Sequence, residues 1–542
     1  MPPPMAEASP SVGRRGFERH ALTVTLMTAA SRFGGLAREA CFGRLIGVSD
    51  AASAFGFAFL VPNLFRRLFG EGALSAALVP EQAKLEERDP HAASRLAALM
   101  LARVGLLLAA LTVVGESILL GIPALRDDLG LRLLAITLPY MPLVCITAVA
   151  GAVLQVRGRF APASAAPILL NLSLVIAVFI AWWGRDEPVD ASRIGIVGWG
   201  VVAAGVAQAT WTLWELRRTS PGGRASHAAD LEARRGFRRV LTQALPMILG
   251  LGVLQVNTFL DGLIASWPTV VGPTIMGRPY PLPDTAMATL GYAQRLYEFP
   301  LGVFGIAVAT AIFPQLAREH EHPTRFQDTL RRGLRLTMFI GLPASLGIAL
   351  VRGPFVTVVY QGFAFDQSDV DRVAYVLLGY AVAIWSYSLN HVLIRGFYAR
   401  REAMTPVRIA VAMVGLNLAL NLALVFGTSL GVAGLAWSTA VCAILQSLIL
   451  ARVLSARVGR LADRTVVRSV AGTAGCTLAM LLAVGTVKWL IPFEDLDAGV
   501  WIRAAIELVA LAVIGGGTFV AIARLAGMPE LGWALGRGVG AD

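Results

Sequence analysis

The chain has 542 residues, 56% of them hydrophobic and only 15% charged, with a formal net charge of +12. A soluble chain carries about one-quarter charged residues, so composition excludes a soluble globular protein and places this one in the membrane class. The excess of arginine lies in loops between apolar runs, which fits loops facing anionic lipid rather than a nucleic-acid surface.

Residues 1–19 read as a disordered tail. The apolar segment that opens with "ALTVTLMTAA" continues through Arg32 to Ile46, too far for a cleaved leader peptide. Fourteen membrane-spanning helices are expected, at 20–48, 50–84, 93–121, 131–156, 161–184, 194–217, 237–266, 284–318, 328–351, 371–399, 405–427, 430–454, 466–490 and 500–525. No evenly spaced alternating segments suggest a β-barrel. Cys41, Cys145, Cys442 and Cys476 all fall in apolar segments, form no CxxC pair and read as packing residues.

Loop charge sets the orientation. The loop "RRTSPGGRASHAADLEARRGFRR" after the sixth helix and Arg457, Arg460 and Arg464 after the twelfth are basic. Opposite loops carry Asp127, Asp128, Asp186, Glu187, Asp190, Glu494, Asp495 and Asp497. The positive-inside rule then puts both termini in the cytoplasm.

The chain also repeats. "NLSLV" (171–175) and "GIVGWG" (195–200) match "NLALV" (421–425) and "GVAGLA" (431–436), and "ALVPEQA" (77–83) matches "AIFPQLA" (311–317). The spacing is nearly constant, and each repeat holds an even number of helices, so the repeats are parallel. The expected architecture is all-α and polytopic: an N-lobe at 20–218, a basic linker at 219–236 and a C-lobe at 237–456. Two unrepeated helices follow within 457–526, then a cytoplasmic tail at 527–542.

Charges inside these helices demand a reason. A lipid-facing arginine at mid-bilayer costs ~2.5–3.5 kcal/mol on insertion scales. Arg32, Arg38, Arg66, Arg67 and Arg295 are therefore expected to face a hydrated interior. Arg32 falls roughly 18 Å along the first helix and Arg295 roughly 17 Å along the eighth, both near the midplane. Arg32 and Arg38 stand on different sides of an ideal helix, and Gly34-Gly35 is expected to supply a hinge that turns both inward. Glu71 follows Arg67, and Glu298 follows Arg295, at on-face spacings for internal ion pairs. Arg44 is expected to reach the outer interface. Surplus guanidinium groups in a cavity call for an anion, phosphate above all.

The tracts "SRFGGLAREACFGRLIG", "PNLFRRLFGEGALSAALVP" and "YAQRLYEFPLGVFGIAVATAIFPQLA" resemble the MurJ (MviN) family of lipid II flippases, in the MOP exporter superfamily. The resemblance covers nearly the whole chain. It implies a V-shaped, fourteen-helix transporter in the bacterial inner membrane that moves undecaprenyl-pyrophosphate-linked peptidoglycan precursor to the outer leaflet. It also implies that Arg32, Arg38 and Arg295 hold the diphosphate and sugar head group, with Glu39, Asn63, Arg66, Arg67, Glu71 and Glu298 beside them. The last two helices would line a groove for the lipid tail. Sodium or membrane potential would drive the cycle without any cofactor, with Asp261, Glu402 and Thr405 as candidate cation ligands. Cell-wall synthesis proteins would be its partners. Ser53, Glu39 and Gln294 depart from the family pattern, which bears on coupling rather than on the anion grip.

Three other readings call for different residues. An O-antigen flippase or drug/cation antiporter of the same superfamily would lack the second-helix tract. A membrane enzyme would need clustered carboxylates or histidines, and "REHEHPT" (318–324) reads as solvated surface. A passive scaffold would not need the arginines. No GxxxxGK[ST] motif is present, so ATP hydrolysis is not expected of the chain.

Overall fold

Proline, glycine and charge decide where the apolar helices start, break and end. The computed structural model describes residues 11–70, 73–221, 226–302 and 306–536, and is helical almost throughout. Among the described residues, ten helices are long and apolar enough to cross a membrane. By contact the chain forms two units. The first runs to Cys41 and adds Ala58–Arg185 and Val189–Gly252; the second holds Phe42–Phe57, Asp186–Pro188 and the chain from Val253 on.

Helix α1 (Ser11–Ile46) begins inside the expected disordered tail. The second expected helix is broken: α2 (Asp50–Phe65) passes into a π-turn (Arg66–Gly70), and α3 (Ala73–Arg88) follows. Pro62 within α2 removes one ladder donor just before the break, and π-turns of this kind gather at functional sites. Helix α4 (Pro90–Gly121) is capped by Asp89, whose carboxylate accepts from the His91 and Ala92 amides. The fourth expected helix divides into α6 (Leu129–Thr137) and α7 (Tyr140–Val156), after a short α5 (Pro123–Arg126). Helices α8 (Ala161–Trp182) and α9 (Ile194–Thr219) lie so close that a Cβ on Gly200 would stand 2.5 Å from the Ala177 Cβ.

The expected linker is largely helix. Helix α10 (His227–Val270) starts within it and continues through the seventh expected span. Its first turns pack on the first unit: Arg95 Nε donates to Asp230 at 2.7 Å, Arg239 Nε to Glu81 at 2.9 Å, and the Arg103 guanidinium lies 4.6 Å from the Phe237 ring. Phe237 and Val240 thereby join a core built on Leu78, Leu96, Met100 and Val153.

In the second unit, a hairpin of β1 (Thr274–Ile275) and β2 (Arg278–Pro279) pairs Thr274 with Pro279. The eighth expected helix breaks at Pro300, between α11 (Ala286–Pro300) and α12 (Ile306–Arg318), and residues 301–302 adopt π geometry. Pro300 lies 234 positions after Arg66, the offset between "ALVPEQA" and "AIFPQLA", so π geometry follows α2 and α11 at corresponding places of the expected repeat. Helix α13 (Pro323–Tyr360) is longer than expected. Helices α14 (Gln367–Ala381) and α15 (Ile384–Ala399) divide the tenth expected span. Helices α16 (Met404–Gly427), α17 (Ala433–Val458), α18 (Arg464–Leu490) and α19 (Val500–Leu525) match expectation closely. The expected C-terminal tail contains a docked helix, α20 (Pro529–Ala534).

The turn after α1 is tightly specified. Gly47 has φ +70°, and a Cβ there would collide with the Ala364 carbonyl. The left-handed conformation alone costs a non-glycine residue on the order of 1–2 kcal/mol. Gly47→Ala is therefore expected to lower both the yield of folded protein and its thermal midpoint. A wild-type midpoint would contradict the packing described.

Candidate substrate site

In the first unit the site begins on α1. Arg32 is exposed, whereas the Arg38 side chain is only 15% exposed. Arg38 pairs with the neighbouring Glu39 carboxylate, and its Nη1 donates to Asn171 Oδ1 on α8 at 3.0 Å. The Asn171 Nδ2 in turn donates to the Ser31 carbonyl at 3.1 Å. The asparagine thus fixes both the arginine and the backbone of α1. Helix α1 remains α-helical through Gly34 and Gly35, so the expected unwinding there is not seen. Both glycines face Asn171 with ordinary clearance: its Nδ2 would lie 3.7 Å from a Cβ on either. Arg32 and Arg38 accordingly keep different environments, as their positions around a straight helix dictate.

The second-helix tract supplies the next guanidinium groups. Arg66 opens the π-turn and donates from Nε and Nη2 to Asn63 Oδ1, at 3.1 and 3.0 Å. Arg67 is half-buried in the same turn. Glu71 lies outside the described residues, and with it the expected Arg67–Glu71 pair.

In the second unit, Arg295 Nη1 meets Glu298 Oε2 at 3.0 Å, the ion pair expected from the spacing, with side chains 34% and 36% exposed. Gln294 Nε2 donates to the Tyr380 hydroxyl at 3.1 Å. Tyr297 stacks on Tyr380, 4.5 Å between centroids, and packs against Tyr387. An aromatic cluster therefore stands beside Gln294. Ser53 is buried and accepts from the Ala288 amide at 3.2 Å. Arg44 Nη2 donates to the Val358 carbonyl at 3.2 Å.

The cation candidates separate. Asp261 on α10 is 2% exposed and accepts from Asn421 Nδ2 at 2.5 Å and Thr439 Oγ1 at 3.2 Å. Asn417 lies beside it; oriented to satisfy its neighbours, its amide nitrogen reaches Asp261 Oδ1 and Asn257 Oδ1, each at 3.1 Å. Ser438 donates to Asn421 Oδ1. A carboxylate walled by neutral amides and hydroxyls is costly unless a cation or a proton joins it. Glu402 and Thr405 are not part of this cluster. Glu402 lies in the turn between α15 and α16 and Thr405 in the first turn of α16; the Glu402 carboxylate takes Arg400 Nε at 3.2 Å and Arg457 Nη1 at 2.7 Å. Those two arginines already neutralise it, which removes Glu402 as a cation ligand.

Sequence reasoning missed Asn171, Asn417, Asn421 and Thr439. A sign of two of them was present: "NLSLV" and "NLALV" place Asn171 and Asn421 at equivalent positions of the repeat. The first turns its amide oxygen to a guanidinium and the second its amide nitrogen to a carboxylate. One inherited amide, with a donor end and an acceptor end, serves opposite charges in the two units.

The family model "Lipid II flippase MurJ" matches residues 42–494. A protein of Vibrio cholerae described as "Probable lipid II flippase MurJ" is 30% identical over 533 residues, 94% of this chain and 95% of that one. A "Lipid II flippase MurJ" of Burkholderia cenocepacia is 31% identical over 447 residues, 80% of this chain and 82% of the relative. Among solved structures, "Lipid II flippase MurJ, inward closed conformation" aligns over 93% of this chain and 98% of its own, with TM-score 0.73 and 20% identity. An inward-facing multidrug resistance MATE family transporter of the MOP superfamily aligns over 81% of this chain and 98% of its own, with TM-score 0.62 and 13% identity. Those two likenesses establish the fold, and the extent of the family match, together with the apolar helices, establishes more: the chain is a multi-pass membrane protein and belongs to the lipid II flippase MurJ family.

Proposed function

We propose that the chain flips lipid II, the lipid-linked peptidoglycan precursor, from the cytoplasmic to the outer leaflet of the bacterial inner membrane by alternating access. It acts as a transporter and carries out no bond chemistry. The observation that carries this reading is the guanidinium set Arg32, Arg38 and Arg295 on otherwise apolar helices, with Arg38 braced by Asn171. Guanidinium forks match diphosphate oxygens in shape and charge. Asn63, Arg66, Arg67 and Glu298 support the same head group, and the lipid tail stays in the membrane.

The full count is fourteen membrane helices. Ten of them, among the described residues, are long and apolar enough to cross a membrane. The other four are α1, the α2–α3 pair, α10 and the α11–α12 pair, which carry the charges or the π geometry the function uses. Both termini lie in the cytoplasm, as the basic loops require. Growth rescue tests the reading: a bacterium depleted of its own flippase resumes growth when supplied with this chain. No rescue by a chain that reaches the membrane in normal amount would overturn it.

Asp261, with Asn417, Asn421 and Thr439 around it, is the coupling cation site, with sodium as its ion, because a buried carboxylate among neutral groups calls for a cation or a proton. Asp261→Asn removes the charge and keeps the shape. It is expected to abolish the sodium dependence of transport while the protein still inserts. An unchanged sodium response would remove Asp261 from the coupling scheme.

A further inference from the structure

A groove of about 290 Å³ opens in the first unit, between the loop that joins α7 to α8 and the last turns of α9. Residues 158–162 line it from the loop and the start of α8, and Trp211 and Glu215 line it from α9. The loop is held in place. Gly158 adopts φ +75°, and the Arg159 amide closes back on the Leu154 carbonyl at 2.8 Å. Arg157 is committed to the fold: its side chain is 6% exposed and donates to Glu86, Ser94 and Ser220. Arg159 is not. Its side chain is 61% exposed, and its one ion-pair partner among the described residues is Glu215, at 3.6 Å.

Glu215 is the group that calls for an occupant. Its side chain is only 15% exposed, yet at 3.6 Å from Arg159 Nη1 its carboxylate accepts no hydrogen bond among the described residues. A carboxylate so withdrawn from water is costly without donors. The surroundings say where the donor comes from. Trp211 and Trp214 lie on the last turns of α9, Arg217 and Arg218 follow, and the Arg218 guanidinium stands 4.5 Å from the Trp214 ring. Tryptophan followed by arginine at the end of a membrane helix marks the headgroup layer, so the groove opens where phospholipid headgroups lie.

The lining selects among headgroups. A carboxylate beside an indole face receives an ammonium, and an exposed guanidinium receives a phosphodiester. One headgroup carrying both charges, with N–H bonds on the ammonium, satisfies the groove. A purely anionic headgroup would set its oxygens against Glu215, and a quaternary ammonium has no N–H to give it. The volume equals that of about ten waters at ~30 Å³ each, room for a phosphoethanolamine group.

We propose that this groove binds the headgroup of phosphatidylethanolamine from the surrounding membrane, with Glu215 and Trp211 on the ammonium and Arg159 on the phosphate. The assignment needs only that the chain lies in a membrane, and it stands apart from lipid II transport. The test is native mass spectrometry of the full-length chain in detergent, with phosphatidylethanolamine, phosphatidylcholine and phosphatidylglycerol of one acyl length as probes. Wild type should retain phosphatidylethanolamine several-fold better than either of the others. Glu215→Gln removes the charge and keeps the shape; it should weaken that retention on the order of tenfold, to the level of phosphatidylcholine. Arg159→Gln should weaken phosphatidylethanolamine and phosphatidylcholine together, and serves if the first variant does not fold. Arg217→Gln, outside the groove, should leave the preference intact. Equal retention of the three lipids by wild type, or undiminished retention of phosphatidylethanolamine by either folded groove variant, would overturn the proposal. A preference for phosphatidylglycerol would overturn it too, because the basic loops alone would then account for the bound lipid.

Discussion

Arg38→Ala is expected to reduce lipid II transport about 100-fold, which corresponds to about 2.7 kcal/mol of lost stabilisation. The figure follows from the contacts. Arg38 is mostly buried, paired with Glu39 and bonded to Asn171, so its fork is already oriented before substrate arrives. Hydrogen bonds to a charged group contribute about 1.5–3 kcal/mol. Arg38→Lys keeps the charge and loses the fork, and should fall between wild type and alanine. The Arg38→Ala, Glu39→Ala double variant separates two causes. If activity is lost because Glu39 is stranded, the second change restores it. If it is lost because the anion grip is gone, transport stays low, which is the result expected. Asn171→Ala should act through Arg38, with a smaller loss that vanishes when Arg38 is already absent.

The largest effect on stability is expected at the C-terminus. Glu530 on α20 is fully buried. Its Oε1 takes Arg335 at 2.7 Å and the Ser469 hydroxyl at 2.5 Å, and Trp533 covers the Arg335 guanidinium at 4.8 Å. One short helix thus ties α13 to α18 through an ion pair shielded from water. Removing one partner of such a pair costs about 3–5 kcal/mol, because the other charge remains buried. Glu530→Ala should lower the thermal midpoint of the full-length protein more than any other single change in the last two helices. Glu530→Gln, which still pairs with Ser469, should cost less. An unchanged midpoint in Glu530→Ala would mean that α20 is not docked in solution.

The sequence made the helices legible because hydrocarbon imposes a length on them: α8, α16, α18 and α19 end within a few residues of expectation. It hid the breaks. Nothing in "PNLFRRLFGEGALSAALVP" distinguishes a straight helix from α2, a π-turn and α3, since Pro62 and Pro80 both lie inside α-helices. The basic linker was read from its charge alone. Its Ala229 and Ala233 continue at helical spacing into Phe237 and Val240 beyond it, and all four pack in the first unit's core. In the site, arginines were conspicuous because they are costly in a membrane. Their partners were not, because an asparagine in an apolar helix carries no charge to flag it. Glu402 shows the converse error. A carboxylate beside a helix start drew notice, but Arg457 lies far along the chain, and only the fold brings the two together.

The most direct test of the account is a leaflet-resolved assay of lipid II in proteoliposomes, comparing the wild-type chain with the Arg32→Ala, Arg38→Ala, Arg295→Ala triple variant. The account predicts that wild type delivers lipid II to the far leaflet while the correctly inserted triple variant leaves it where it was loaded. Wild-type flipping by the triple variant would contradict the claim that these guanidinium groups carry the head group across.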